Sequence, residues 1–280
     1  MRILITGSSG FVGKNLLNKL SKKHDHEIYI TSREEVSLDY QKKQFIKHVF
    51  VTDNLFKESD EWLENICKNI DCIIHLAWYA KPKDYLTSEQ NIECLIGSLS
   101  LAKAAKKLKV KRFISFGTCF EYEQSDLPLN TSSPLKPETL YASSKVSLFY
   151  NLKELFKDAS TQFTWARIFF PYGIGEPREK LYTYLIENLK EEKPIMLSEG
   201  NQVRDFIHID EAIRQIINII DQNIHGPVNI CTGQGMSVKD FVIMTTKNYN
   251  DKLLYLLNFG SKSPKIYDPK FVVGVPFTQQ

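Results

Sequence analysis

Cysteine is sparse and unpatterned. Five residues, Cys67, Cys72, Cys94, Cys119 and Cys231, are scattered, odd in number and without a CxxC pair. This favours free thiols in a reducing compartment over a disulfide framework or a zinc site. The six histidines show no ligand spacing, so no metal is expected. No apolar run approaches the ~20 residues of a membrane-spanning helix. The N-terminus goes straight into a strand-like run, so no signal peptide is expected and a cytoplasmic location is. Charge of one sign is also lacking. The formal net charge is +3, too mild to argue for nucleic acid or a membrane surface. Lysine pairs such as Lys22-Lys23, Lys42-Lys43 and Lys106-Lys107 read as solvated faces. There is no flexible linker and no internal repeat. What remains, 42% hydrophobic and 25% charged over 280 residues, is an ordinary globular chain with room for one large or two small domains.

The first stretch, residues 1–15, MRILITGSSGFVGKN, carries the strongest local signal. A short apolar run, residues 3–5, breaks at Thr6-Gly7, and a helical apolar pattern begins at Phe11. Glycines fall at Gly7, Gly10 and Gly13. Strand, glycine turn and helix is the arrangement that grips a dinucleotide. Gly7 permits the tight turn, Gly10 lets a pyrophosphate approach the backbone, and Gly13 lets the helix pack on the strand. The pyrophosphate would sit at the helix N-terminus, where free N–H groups favour an anion. The glycine spacing is three and three, not the two and three of the common fingerprint.

Strand-like runs then alternate with helical patterns. Strands are expected at residues 28–31, 45–51, 71–76, 112–116 and 163–168. Helices are expected at 62–70, 89–108 and 139–156, with Ile92, Leu95, Ile96, Leu99, Ala102 and Ala105 on one side of the second. This alternation implies βαβ crossovers and a parallel sheet covered on both faces. After Pro171 the rhythm changes. Short strands near 195–197, 204–208 and 227–231 are interleaved with helices near 181–189, 210–222 and 238 onward. This reads as a smaller lobe over the carboxyl edge of the sheet, where ligands bind. The tail, 258–280, reads as irregular.

A second informative stretch is Tyr141-Ala142-Ser143-Ser144-Lys145. Tyr141 and Lys145 are four apart on a helix and share a face. An ammonium near a phenol favours the phenolate and is expected to lower its pKa, making Tyr141 a usable acid or base. The helix follows the fifth strand, whose end places Thr118 at the carboxyl edge, able to hydrogen-bond a substrate oxygen. His75, ending an apolar strand, reads as a satisfied core histidine. Asp53 is a candidate for adenine, and Trp78 and Tyr79 follow the fourth strand at the ligand edge, where they line a pocket or simply pack.

With these residues in place, the chain resembles an extended short-chain dehydrogenase/reductase of the nucleotide-sugar epimerase/dehydratase family. The matching motifs are TGSSGFVG (6–13), HLAW (75–78), Asn91, the Thr118 position, YASSK (141–145), RIFFPYG (167–173) and RDFIHIDEA (204–212). They run in family order over about residues 1–235. The resemblance implies an α/β fold: a Rossmann-type doubly wound parallel sheet, residues 1–170, with a smaller, interleaved substrate-binding lobe, residues 171–280. It implies a nicotinamide dinucleotide held by Gly7, Gly10, Phe11, Val12, Ser32, Arg33, Leu76 and Ala77, with Tyr141 and Lys145. It assigns catalysis to Thr118, Tyr141 and Lys145, and substrate contacts to Thr118, Cys119, Phe120, Phe170 and Arg204. Arg204 would bind the diphosphate or act instead as an ion-pair partner. His208 and Asp210 are expected to hold the lobe together. A homodimer through helices 89–108 and 139–156 is also implied.

Three departures from the family pattern narrow the reaction. The second strand ends in Ser32-Arg33 with no carboxylate, which suits the 2′-phosphate of NADP(H); otherwise Arg33 is a surface residue and NAD is used. The run SREEVSLD resembles that of NADPH-using GDP-fucose synthase-like reductases. Cys119-Phe120 stands where 4,6-dehydratases carry an Asp-Glu pair, so dehydration is not expected. Phe170 stands where many epimerases carry Asn, consistent with a deoxygenated sugar. The expected function is an NADPH-dependent reductase of a nucleotide-diphosphate keto-sugar, a 4-keto-6-deoxyhexose, for surface glycans. An NAD-dependent epimerase and a non-catalytic NADP-binding regulator are the alternatives.

Overall fold

A computed structural model describes residues 1–22, 25–33, 45–82, 84–263 and 268–277. Lys42-Lys43, residues 34–39 of SREEVSLD and part of the tail therefore lie outside the described residues. The chain divides into two compact units. The first comprises Met1–Glu121, Pro137–Arg167 and Ile213–Val228; the second comprises Tyr122–Lys136, Ile168–Ala212 and Asn229–Gln280. Residues 122–136 thus go with the second unit and 213–228 with the first, so the two units are interleaved along the chain.

The first unit is built on strands β1 (Arg2–Thr6), β2 (Glu27–Ser32), β3 (Ile46–Val51), β4 (Cys72–His75), β5 (Arg112–Thr118) and β6 (Gln162–Ile168). With β11 (Gly226–Ile230) they form a seven-stranded parallel sheet in the order β11-β6-β5-β4-β1-β2-β3. Helices cover both faces of its centre: β4 and β5 are buried along their whole length, whereas β3 at the edge is only partly buried. The order reverses where β1 lies between β2 and β4, with Thr6 level with His75. That switch point is where open α/β sheets bind ligands.

Helices α1 (Phe11–Leu20), α2 (Asp60–Cys67), α3 (Gln90–Lys107) and α4 (Leu140–Phe156) connect these strands. Helix α3 departs from the expected face. Ile92 and Ile96 are exposed, whereas Asn91, Cys94, Ser98, Leu101, Ala102 and Ala105 are buried. The reason is close packing. A Cβ on Gly97 would stand 2.4 Å from the Phe56 backbone, so the small-residue side faces inward and the isoleucines are left outside. Helix α6 (Ile209–Asp221) ends on a buried cation: Arg112 donates to the carbonyls of Ile220 and Ile219 at 2.6 and 3.0 Å. These are helix-end acceptors that lack intrahelical partners.

The second unit contains α5 (Leu181–Lys190), α7 (Val238–Asn250) and short strand pairs. Strand β8 (Ile195–Met196) pairs with β13 (Leu257–Asn258) over a core of Leu185, Leu189, Ile195, Leu197, Val242, Leu253 and Leu256. Strand β7 (Phe170–Tyr172) pairs with β10 (Phe206–His208), where Phe206 stacks on Phe241 at 3.9 Å between ring centres. Strand β9 (Val203–Arg204) lies between β12 (Met236–Ser237) and β14 (Phe271–Val272). The expected strand 204–208 is thus two strands, β9 and β10, broken at Asp205. That fully buried carboxylate accepts from Thr232 N, Thr232 Oγ1, Gly233 N and Gly274 N at 2.8, 2.6, 2.9 and 3.2 Å.

Candidate active site

The glycine turn has a geometry only glycine allows at two points. Gly7 has φ +73°, and a Cβ there would stand 2.5 Å from Ala77 N. A Cβ on Gly13 would stand 2.2 Å from Gly7 O. The turn is therefore pressed onto Leu76-Ala77 and onto its own helix. At Gly10 a Cβ would meet only Gly7 O, at 3.4 Å, so its outer side is open. Gly10 caps α1 without a side chain, and the first turn, with Phe11 and Val12, carries no acid. These features fit an anionic diphosphate. Ser32 is buried at the end of β2 and Arg33 is exposed just beyond it. Asp53, past β3, is exposed.

Behind the turn runs a buried polar relay. Ala77 N donates to Thr6 Oγ1 (3.3 Å), which is 2.8 Å from His75 Nδ1; His75 Nε2 is 2.7 Å from Ser98 Oγ, which donates to Cys94 O at 2.6 Å. Since Ser98 spends its proton on Cys94, His75 donates from Nε2 and accepts at Nδ1. Burial, aided by the charge of Lys145, pushes the imidazole down to about 3. The unfolded chain takes up a proton near ~6.5 that the folded chain refuses. Stability through this group is full above that pH and falls by about 1.4 kcal/mol per unit below it, toward 3. Urea unfolding at pH 7 and 5 is expected to show this slope in the wild type and its loss in His75→Gln. Equal slopes would refute the assignment.

Thr118 ends β5, and Tyr141 lies in the first turn of α4, which Thr139 caps by accepting from Ala142 N at 3.2 Å. The Thr118 side chain lies beside the Tyr141 phenol and favours its ionised form. Lys145, one turn on, donates from Nζ to Phe116 O at 2.8 Å and lies 3.5 Å from the centre of the Trp78 ring. Trp78 is held in turn: its Nε1 donates to Asn91 Oδ1 at 2.8 Å, while Asn91 Nδ2 donates to Tyr85 O and Ser88 O. Tyr85 meets Tyr141 edge to face at 5.1 Å. Trp78 and Tyr85 thus wall the Tyr141–Lys145 pair, and Asn91 secures them. Tyr79 instead donates to Asp84 at 2.8 Å.

The expected lowering of the Tyr141 pKa is not what this geometry gives. Burial pushes the phenol well above its ordinary range, and Tyr85, Glu121 and Cys119 add to it; the Thr118 hydrogen bond works the other way. Lys145 points at the Phe116 carbonyl and the Trp78 face. Burial pushes its ammonium down to about 7, against the opposing charges of Glu121 and Cys94.

A residue the motif reading passed over lies beside them. Glu121, fully buried, accepts from Arg167 Nε at 2.6 Å, from Trp165 Nε1 at 3.0 Å and from Thr118 N at 2.8 Å. A Cβ on Gly117 would stand 2.2 Å from Glu121 Oε1. The available signal was a carboxylate three residues after Thr118 and the arginine that opens RIFFPYG. Cys119 is buried and Phe120 half-buried in the same turn.

In the second unit, Phe170 and Arg204 come together, with the guanidinium carbon 5.3 Å from the Phe170 ring centre. Arg204 is buried, ion-paired with Asp268, and donates to Val203 O at 2.8 Å. His208 and Asp210 are 3.6 Å apart and largely exposed. Among the described residues, no His, Cys, Asp and Glu are grouped as a metal site.

Comparison with known proteins gives a consistent placement. UDP-glucuronic acid decarboxylase 1 of Xenopus tropicalis is 24% identical over 86% of this chain, which spans 58% of that protein's length. The structure of MoeE5 in complex with UDP-glucuronic acid and NAD has a TM-score of 0.81 at 22% identity, covering 100% of this chain and 91% of that one. DesIV, a dTDP-glucose 4,6-dehydratase from Streptomyces venezuelae solved with NAD and TYD bound, has a TM-score of 0.84 at 18% identity, covering 99% and 89%. The two structures show the shared fold. Residues 3–231 match the family model itself, and with the glycine turn, Thr118, Tyr141 and Lys145 inside that span, the chain belongs to the NAD dependent epimerase/dehydratase family.

Proposed function

We propose that this protein is a cytoplasmic NADPH-dependent reductase of a nucleotide-diphosphate keto-sugar, a 4-keto-6-deoxyhexose, serving surface-glycan synthesis. The observation that carries this reading is the proton inventory around Tyr141. Its phenol is half-buried and its pKa is raised, with Thr118 beside it, which suits a donor to a carbonyl becoming an alkoxide. The neighbouring carboxylate, Glu121, is committed to Arg167, Trp165 and Thr118. Cys119 and Phe120 offer no acid for eliminating water.

The dinucleotide, when bound, supplies the hydride chemistry. The chain supplies the rest. Gly7, Gly10 and the α1 N-terminus receive the diphosphate, with Phe11, Val12, Leu76 and Ala77 beside it. Ser32 and Arg33 receive the 2′-phosphate. Thr118 orients the carbonyl and Tyr141 donates the proton. Lys145 provides positive charge beside them. Phe120, beside Thr118 in the first unit, offers the sugar an apolar contact. Ile92 and Ile96 on α3 and Tyr150 on α4 are exposed and support a homodimer through these helices. Among the described residues, no helix is long and apolar enough to cross a membrane.

A second reading, an epimerase with tightly held NAD, is favoured by the NAD in the MoeE5 and DesIV structures. The test is cofactor oxidation with freshly made dTDP-, CDP-, GDP- and UDP-4-keto-sugars. NADPH consumption is expected, and Arg33→Ala is expected to raise KM for NADPH about 10- to 100-fold, the worth of a charge-assisted hydrogen bond, and to leave NADH unaffected. NAD copurifying with the protein, and no net NADPH use, would establish the epimerase. NADPH binding without turnover of any sugar nucleotide would leave a binding protein.

A further inference from the structure

We propose that Glu121 is a positioning residue, whose carboxylate, locked by Arg167, sets the backbone of Thr118 and so aims the Thr118 hydroxyl at the Tyr141 phenol. The inference rests on the reading of Thr118 and Tyr141 as the reacting pair. The ion pair is almost wholly removed from water, with Arg167 at 1% and Glu121 at 0% exposure. Both carboxylate oxygens are used: Oε1 accepts from Thr118 N at 2.8 Å and Trp165 Nε1 at 3.2 Å, and Oε2 accepts from Trp165 Nε1 at 3.0 Å and Arg167 Nε at 2.6 Å. For stability alone an apolar pair of the same volume serves as well or better. What an apolar pair cannot do is hold the Thr118 N–H.

That N–H belongs to the last residue of β5, where the strand turns into Cys119–Glu121. With the backbone fixed, Thr118 Oγ1 accepts from Phe120 N at 3.3 Å. Its own proton is then left for the phenol and, once a carbonyl is bound, for that oxygen. Position 117 is glycine because any side chain would displace the carboxylate. The negative charge also acts on the groups around it. Tyr141 is faced by Tyr85, Glu121, Cys119 and Thr118, and Lys145 by Glu121 and Cys94. Glu121 favours the proton on both.

The test compares the wild type with Glu121→Gln and with the paired replacement Glu121→Leu/Arg167→Met, which removes both charges and so leaves neither one buried alone. Four quantities are read: the dissociation constant for NADPH, kcat, KM, and the titration midpoint of Lys145 by NMR of labelled lysine. In the paired variant kcat is expected to fall about 100-fold, the effect of misplacing a reacting group by roughly 1 Å, with KM and NADPH affinity within about threefold. The Lys145 midpoint is expected below about 7, since a negative charge that held it up is gone. A folded paired variant with wild-type kcat overturns the proposal, and so does an unmoved Lys145 midpoint. If no keto-sugar nucleotide is turned over by the wild type, the reductase reading fails by itself, and the Lys145 midpoint together with hydrogen exchange at the Thr118 amide still decides the role of Glu121. Faster exchange and a lowered midpoint support it; wild-type values of either overturn it.

Discussion

Tyr141→Phe is expected to lower kcat about 10²- to 10⁴-fold, the usual worth of a positioned acid or base, and to leave dinucleotide affinity within about twofold. One oxygen is removed and little else changes. The ring keeps its edge contacts with Tyr85 and Trp78 at 5.1 and 6.5 Å. The backbone N–H keeps its bond to Leu86 O at 3.0 Å. Thr118 keeps Phe120 N as a donor to its hydroxyl. The fold should therefore persist, and thermal melting should agree within a few degrees. Single-turnover kinetics isolates the chemical step from product release. A variant as fast as the wild type would mean the proton comes from elsewhere.

The second large effect is on stability. Arg167→Met is expected to cost about 3–5 kcal/mol, because it leaves the Glu121 carboxylate buried with its counter-charge removed. The guanidinium is held at 1% exposure and also packs over the Phe149 ring at 4.8 Å. Methionine can keep much of that packing, so the loss reports on charge more than on volume. Urea unfolding read by two probes gives the measurement. A loss below about 1 kcal/mol would show that Glu121 finds another partner or takes up a proton.

Much of the sheet was legible because its central strands are buried on both faces. Runs such as residues 112–116 and 163–168 stand out without any periodicity test, and β5 and β6 lie where they were expected, lengthened by one or two residues. The helices were legible as helices, but not always in orientation. On α3 the large apolar residues mark the outside, since close approach to Phe56 selects Gly97 and other small residues for the inside. Hydrophobicity alone cannot express that choice. The glycine turn and the Thr118, Tyr141 and Lys145 positions were visible as motifs. Their electrostatics were not. A four-residue spacing predicts a shared helix face, whereas the direction of the Tyr141 shift depends on burial and on where the Lys145 ammonium points. Glu121 was hidden for a similar reason. Its partners, Thr118, Trp165 and Arg167, are 3, 44 and 46 residues away in the chain. Only the adjacency of β5 and β6 in the sheet unites them.

The strand order carries a consequence for synthesis. Strand β6 takes its outer neighbour from β11, which begins at Gly226, after the 168–212 segment of the second unit has been made. At about 5–20 residues per second, a growing chain leaves the β6 edge open for several seconds before β11 can close it. An apolar strand with an unpaired edge is a template for pairing with another chain. The nascent protein is therefore most exposed to misassociation in the interval between translation of residues 168 and 230, when nearly all of the first unit exists but its last strand does not.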